Sequence, residues 1–164
     1  MIHRPLRMVW LCLALSGLTL PAFAHEDRLA ARPSAMHAEQ TPWGIAGQAK
    51  AVRREIRISM GDDMRFSPDT FSVKRGETVR LIITNAGAQL HELVIGTPAA
   101  LAEHAEMMKR FPTMEHAEAH MAHVPAGQSR ALVWRFNRAG QFAFACLING
   151  HFQAGMRGTI EVKP

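Results

Sequence analysis

Hydrophobic positions beyond residue 51 recur with a period of two in short runs, and turn-forming residues separate the runs. Between Val52 and Met60, Ile56 and Ile58 share one face, while Arg57 and Ser59 share the other. That alternation is the mark of a half-buried strand. Gly61-Asp62-Asp63 then reads as a turn. Further strands are predicted at Phe71–Lys74, closed by Arg75-Gly76, at Thr78–Thr84, turned by Asn85-Ala86-Gly87, and at His91–Ile95, ended by Gly96. After a gap, Ser129–Phe136 puts Leu132, Trp134 and Phe136 on one face. Gly140–Leu147 does the same with Phe142 and Phe144, and Thr159–Val162 is the last strand. About seven short strands without βαβ spacing predict an all-β antiparallel sandwich or barrel.

Residues 97–123 interrupt the alternation. Thr97 is a good N-cap and Pro98 suits the first helical turn, so a helix is expected over Ala99–Arg110 and stopped by Pro112. Thr113 would cap a second short helix reaching about His123. The helices would form an excursion between two strands. Residues 25–51 are Ala-rich and polar, contain Pro33 and Pro42 and show no apolar period. They are expected to be a poorly ordered tail, with Trp43 either docked or exposed.

The first 24 residues have a different logic. Arg4 and Arg7 precede an apolar run, Val9–Leu20, and Pro21-Ala22-Phe23-Ala24 supplies small residues for cleavage. This is the layout of a secretory signal. The run falls well short of the roughly 20 residues that a spanning helix needs. Residues 1–24 are therefore expected to leave after Ala24, giving a periplasmic chain with no membrane span and a domain at 52–164.

Of 164 residues, 48% are hydrophobic and 20% charged, which argues against wholesale disorder. The formal charge of +5 loses Arg4 and Arg7 on cleavage. The remainder is too mild for nucleic acid, and no basic run with interleaved aromatics is present. Cleavage also removes Cys12 and leaves Cys146 alone. A single thiol in an oxidising compartment calls for burial, pairing with another chain or a metal.

Cys146, His151 and Met156 are spaced by five residues, with Gly150 and Gly155 just before the last two. Glycine's freedom at positive φ would let such a loop fold back on one point. Thiolate, imidazole and thioether together suit copper, and His91 upstream could supply a second imidazole. On these residues, and on Met64-Arg-Phe-Ser-Pro, Val73-Lys-Arg-Gly-Glu-Thr-Val and His91-Glu-Leu-Val-Ile-Gly, the chain from about 52 to 164 resembles the cupredoxins, the blue-copper family. The resemblance implies a Greek-key sandwich and a type 1 copper site. His91, Cys146 and His151 would be trigonal ligands, Met156 a long axial one, and the edge of His151 an electron port through an apolar patch. Glu92 departs from the family, where several electron carriers have Asn.

Residues 104–123 hold a second set of soft donors: His104, Met107, Met108, Met114, His116, His120, Met121 and His123. On a helix, His116, His120 and His123 would form one stripe. A second copper site is expected here, and the segment resembles the insertion of the CopI-type copper-tolerance cupredoxins. Glu103, Glu106, Glu115 and Glu118 lie between these donors and fit a solvated helix equally well.

The leading functional expectation is a copper-tolerance protein that binds Cu(I) or Cu(II) and exchanges one electron. Its partners would be copper ions and a periplasmic redox protein, copper exporter or oxidase. A plain electron carrier between respiratory partners is the alternative. An enzyme such as a small cuprous oxidase ranks last, because one copper centre does not readily deliver four electrons to oxygen. No catalytic residue is assigned.

Overall fold

The computed structural model describes residues 38–112, 114, 116–148 and 150–164. The expected leader and residues 25–37 of the tail lie outside the described residues, as does Thr113. Ten strands and one α-helix follow one another along the described chain: β1 (Ile45–Ala46), β2 (Arg54–Gly61), β3 (Arg65–Ser67), β4 (Thr70–Lys74), β5 (Glu77–Asn85), β6 (His91–Gly96), α1 (Pro98–Arg110), β7 (Met121–Val124), β8 (Ser129–Phe136), β9 (Gly140–Ala145) and β10 (Arg157–Lys163).

They form two five-stranded sheets, ordered β1-β8-β5-β2-β3 and β4-β10-β9-β6-β7. The inward positions of the alternating strands fill the space between. Ile58, Leu81, Ile83, Trp134 and Phe136 come from one sheet, and Leu93, Ile95, Phe142, Phe144 and Ile160 from the other. Trp134 is buried, and its indole N–H donates to the carbonyl of Trp43 at 3.1 Å.

The all-β sandwich is as expected, but its pairing is mixed. β2 pairs parallel with β5, and β4 parallel with β10. The chain reaches β5 only after visiting β4 in the opposite sheet, so it returns beside β2 in the same direction. The segment expected to be an unstructured tail also carries structure up to residue 51. β1 pairs with β8, a single 3-10 turn spans Ala49–Ala51, and Trp43 is docked on the core.

β6 is buried along its whole length, unlike a strand with one wet face. His91, Leu93 and Ile95 point between the sheets. The opposite face packs Val94 against Leu101, Ala105 and Met108 of α1 and against Met121, Ala145 and Leu147. The helix forms as predicted: the Thr97 hydroxyl accepts from the Ala100 amide at 3.1 Å, and Leu101, Ala105 and Met108 recur at helical spacing on the sheet side. The second helix does not form. Residues 116–118 are irregular, Ala119 and His120 turn, and Met121–Val124 become β7, paired with β6. Sheet pairing along β6 satisfies four residues' worth of backbone that a short isolated helix would leave half unpaired.

Candidate metal centre

Cys146 follows directly on β9, and β10 starts right after Met156, so the eleven-residue loop between them hangs from two paired strands. The Cys146 amide donates to the Met156 carbonyl at 3.0 Å and closes the loop at its base. Inside, the His151 amide donates to Ile148, and the Met156 amide to the His151 carbonyl, at 2.9 and 3.0 Å. Gly150 and Gly155 have φ of 89° and 93°, the left-handed values expected of them. The loop thereby turns the His151 ring inward towards β6.

His91, at the first position of β6, meets it there. The two Nδ1 atoms are 3.2 Å apart, and Cys146 Sγ lies 3.3 Å from His151 Nδ1. Among the described residues, these three form the one group of His, Cys, Asp or Glu donors whose ligand atoms all lie within 4.8 Å of one another. His91 and Cys146 are fully buried and His151 is 8% exposed. Met156 is fully buried in the same apolar cluster as Cys146. Three lone-pair donors facing one another in a dry pocket repel unless a proton or a cation lies between them. One sulfur and two imidazole nitrogens suit copper in either oxidation state.

The surrounding groups hold the donors in place. Asp62 Oδ1 lies 3.1 Å from His91 Nε2, and the carboxylate also accepts from the Ala88 and Gln89 amides at 2.8 and 3.2 Å. The Ala88 amide first, then His91, holds the Asp62 carboxyl below its usual range. An ionised carboxylate only accepts, so Nε2 of His91 carries the proton and Nδ1 offers its lone pair to the site. Gly87 permits this approach, since a Cβ there would sit 2.2 Å from Asp62 Oδ1. Buried Asn85 braces the same turn through bonds to Gln89, Val124 and Gly87.

Burial pushes the Cys146 thiol up to about 12, against weaker opposing bonds from the Glu92 and Ile148 amides. Burial also lowers His151, and His91 adds to the effect. The Glu92 amide donates to Cys146 Sγ at 3.4 Å. The Glu92 side chain serves the Leu147 amide through Oε1 at 2.8 Å. Asp62 and Asn85 were legible only as a turn, because nothing in the local pattern shows which distant ring an exposed Asp will touch.

The second donor set is divided. His104 and His116 lie ring to ring with centroids 4.7 Å apart, and His116 meets His123 at 6.2 Å. The Nε2 atoms of His104 and His116 are buried and find no hydrogen-bond partner among the described residues, while His116 Nδ1 lies 3.3 Å from the Met114 carbonyl. Met108, Met114, His116 and His123 line a groove of about 660 Å³ together with Leu90, Pro112 and Ile148. The expected stripe of His116, His120 and His123 fails with the helix that would have carried it. His120 packs instead between Trp43 and Trp134, at 5.2 and 6.0 Å. Met121 is buried beneath α1, and Met107 is 42% exposed.

Burial lowers His104 and His120 as well as His151. Each takes up its proton less readily in the folded chain than in the unfolded chain, which is protonated below about 6.5. The metal-free protein therefore loses stability as pH falls below that value. Glu92, raised by burial, works the other way in the range just above the ordinary carboxylate value. Thermal melts of the metal-free protein at pH 7.5 and 5.5 should show the lower midpoint at pH 5.5. An unchanged or higher midpoint would mean that these rings are solvated.

The fold and the donor set define a cupredoxin. The chain belongs to the copper-binding proteins of the plastocyanin/azurin family, whose model matches residues 52–163. It is 46% identical to the copper-resistant cuproprotein CopI of Rubrivivax gelatinosus over 99% of this chain and all of that one. It is 35% identical to CopI of Pseudomonas aeruginosa, over 74% of this chain and 83% of the relative. Among solved structures, reduced auracyanin from Roseiflexus castenholzii superposes with a TM-score of 0.60 at 22% identity, covering 69% of this chain and 99% of that one. Copper is thus the cofactor. Among the described residues, no helix is long and apolar enough to cross a membrane.

Proposed function

We propose that this chain is an exported type 1 copper protein that contributes to copper tolerance. His91, Cys146 and His151 hold the metal and Met156 is its weak axial contact. The observation that carries the reading is the convergence of one thiol and two imidazoles in a dry pocket, in a chain whose relatives are named for copper resistance. Bound copper supplies a one-electron couple. The residues around it keep its cage rigid: Asp62 fixes the His91 tautomer, the Glu92 amide supports the sulfur, and the Cys146–Met156 bond closes the loop. With its thiol raised to about 12, Cys146 carries a proton at neutral pH, and loading releases it.

The buried Nε2 atoms of His104 and His116, which find no hydrogen-bond partner among the described residues, favour metal handling over a plain electron shuttle, which needs no second site. The second site accordingly comprises His104, His116 and His123 with Met108 and Met114 beside them, and partners beyond copper would be a periplasmic redox protein, exporter or oxidase. Copper stoichiometry of the purified mature protein, measured separately with Cu(I) and Cu(II), tests this. Two or more equivalents, falling to one in a His104→Ala/His116→Ala/His123→Ala variant, are expected. One equivalent in the unaltered protein would favour the electron carrier.

Asp62→Ala frees the His91 ring and exposes its tautomer to solvent exchange. Copper affinity should drop by about 10–100-fold, the usual effect of losing a ligand's hydrogen-bonding partner. Competition with a chelator of known affinity measures it, and an unchanged affinity would show that the strand alone orients His91.

A further inference from the structure

Glu92 is a carboxylate with 1% exposure, one residue along from His91 and pointing to the other face of β6. Burying such a group is costly unless its oxygens are matched. One is hydrogen-bonded and the other is only approached by a ring. Oε1 accepts from the Leu147 amide, the residue after Cys146, at 2.8 Å. Oε2 lies 2.9 Å from His123 Nε2, across the β6–β7 register in which Glu92 and His123 are directly opposed. This second contact is an ion-pair approach without an aligned N–H, as Oε2 finds no hydrogen bond in hydrogen-bonding geometry. The Glu92 amide meanwhile donates to Cys146 Sγ. One residue thus touches the sulfur, the backbone that follows it, and the first ring of the His123–His116–His104 row.

A glutamine would serve the Leu147 amide equally well at no charge cost. What the carboxylate adds is a negative charge held against an imidazole, and that charge interacts most strongly when the imidazole carries a proton or a cation. We propose that Glu92 is a positioning residue that couples the two donor sets: a cation bound in the histidine row draws on Glu92 and alters its hold on the Cys146–Leu147 segment, and so changes the copper centre. This rests on the reading of His104, His116 and His123 as a metal site. Linkage then requires the reverse, that the oxidation state of the copper centre alters affinity at the histidine row by the same factor.

The test uses Ag(I), a redox-inert soft cation, on the full mature protein carrying one copper. Silver affinity is measured with the centre oxidised and again reduced, and the reduction equilibrium of the centre is measured with and without silver. Reoxidation must return the full visible band, which shows that silver has not displaced copper. In the unaltered protein both ratios should agree at about fivefold or more. In Glu92→Gln, silver should still bind, but both ratios should fall below about twofold. His123→Ala provides a second variant, in which residual silver binding at His104 and His116 should show no dependence on oxidation state. Silver binding that does not depend on oxidation state, or a dependence retained in either variant, overturns the coupling and leaves the second site standing. Absence of silver binding beyond that of the triple His→Ala variant overturns both.

Discussion

Cys146→Ser yields a protein without intense visible absorption when loaded with Cu(II), and with copper affinity reduced by more than about 100-fold, beyond the loss of a ligand's hydrogen-bonding partner. The band arises from charge transfer between a thiolate and copper, and Cys146 is the only Cys in the described residues. Serine is close in size, so the fully buried position should tolerate it sterically. Its hydroxyl is a harder and far less acidic donor, which leaves two imidazoles without the soft partner that selects copper. Absorption spectra and chelator competition on the variant decide the matter. A retained band would remove Cys146 from the site and with it the meaning of the 3.3 Å approach to His151.

Phe144→Ala should destabilise the metal-free protein by about 3–5 kcal/mol, the range for removing a fully buried aromatic side chain. Phe144 has no exposed surface and meets Phe66 edge-on at 4.9 Å and Phe71 at 5.6 Å, joining β9 to strands of both sheets. Gly158 on β10 leaves room for its ring; a Cβ there would lie 2.2 Å from it. The cavity would be hard to close, because both sheets are pinned by paired backbones on either side. Urea denaturation of the metal-free variant should show the loss in its midpoint. Since Cys146 lies two residues beyond on the same face, the variant also tests whether the donor loop depends on that aromatic layer. A loss under about 1 kcal/mol would mean that the sheets collapse around the gap.

Most strands were legible because alternation is a local signal. Leu132, Trp134 and Phe136 declare an inward face without reference to any partner. The loop of Cys146, His151 and Met156 was legible for a similar reason, since donor type, spacing and the two glycines lie within a dozen residues. Three features were not legible. The parallel pairs depend on which sheet β4 enters, and only long-range packing decides that. The segment before Val124 reads as helix because Ala, Glu and Met favour helices locally, whereas the free edge of β6 and the apolar layer under α1 draw Met121 into a strand. The outward role of Glu92 was hidden because its neighbour in sequence, His91, faces the opposite way, and its real partners lie 31 and 55 residues along the chain.

The raised Cys146 thiol has a consequence for the protein before it ever meets copper. Disulfide exchange and sulfenic acid formation both proceed through the thiolate. A sulfur with no exposed surface that holds its proton up to about pH 12 offers almost none of that species to oxidants or to glutathione-type disulfides. The newly folded chain can therefore persist in oxidising surroundings with its sulfur intact, chemically idle towards everything except a metal ion small enough to enter and strong enough to displace the proton.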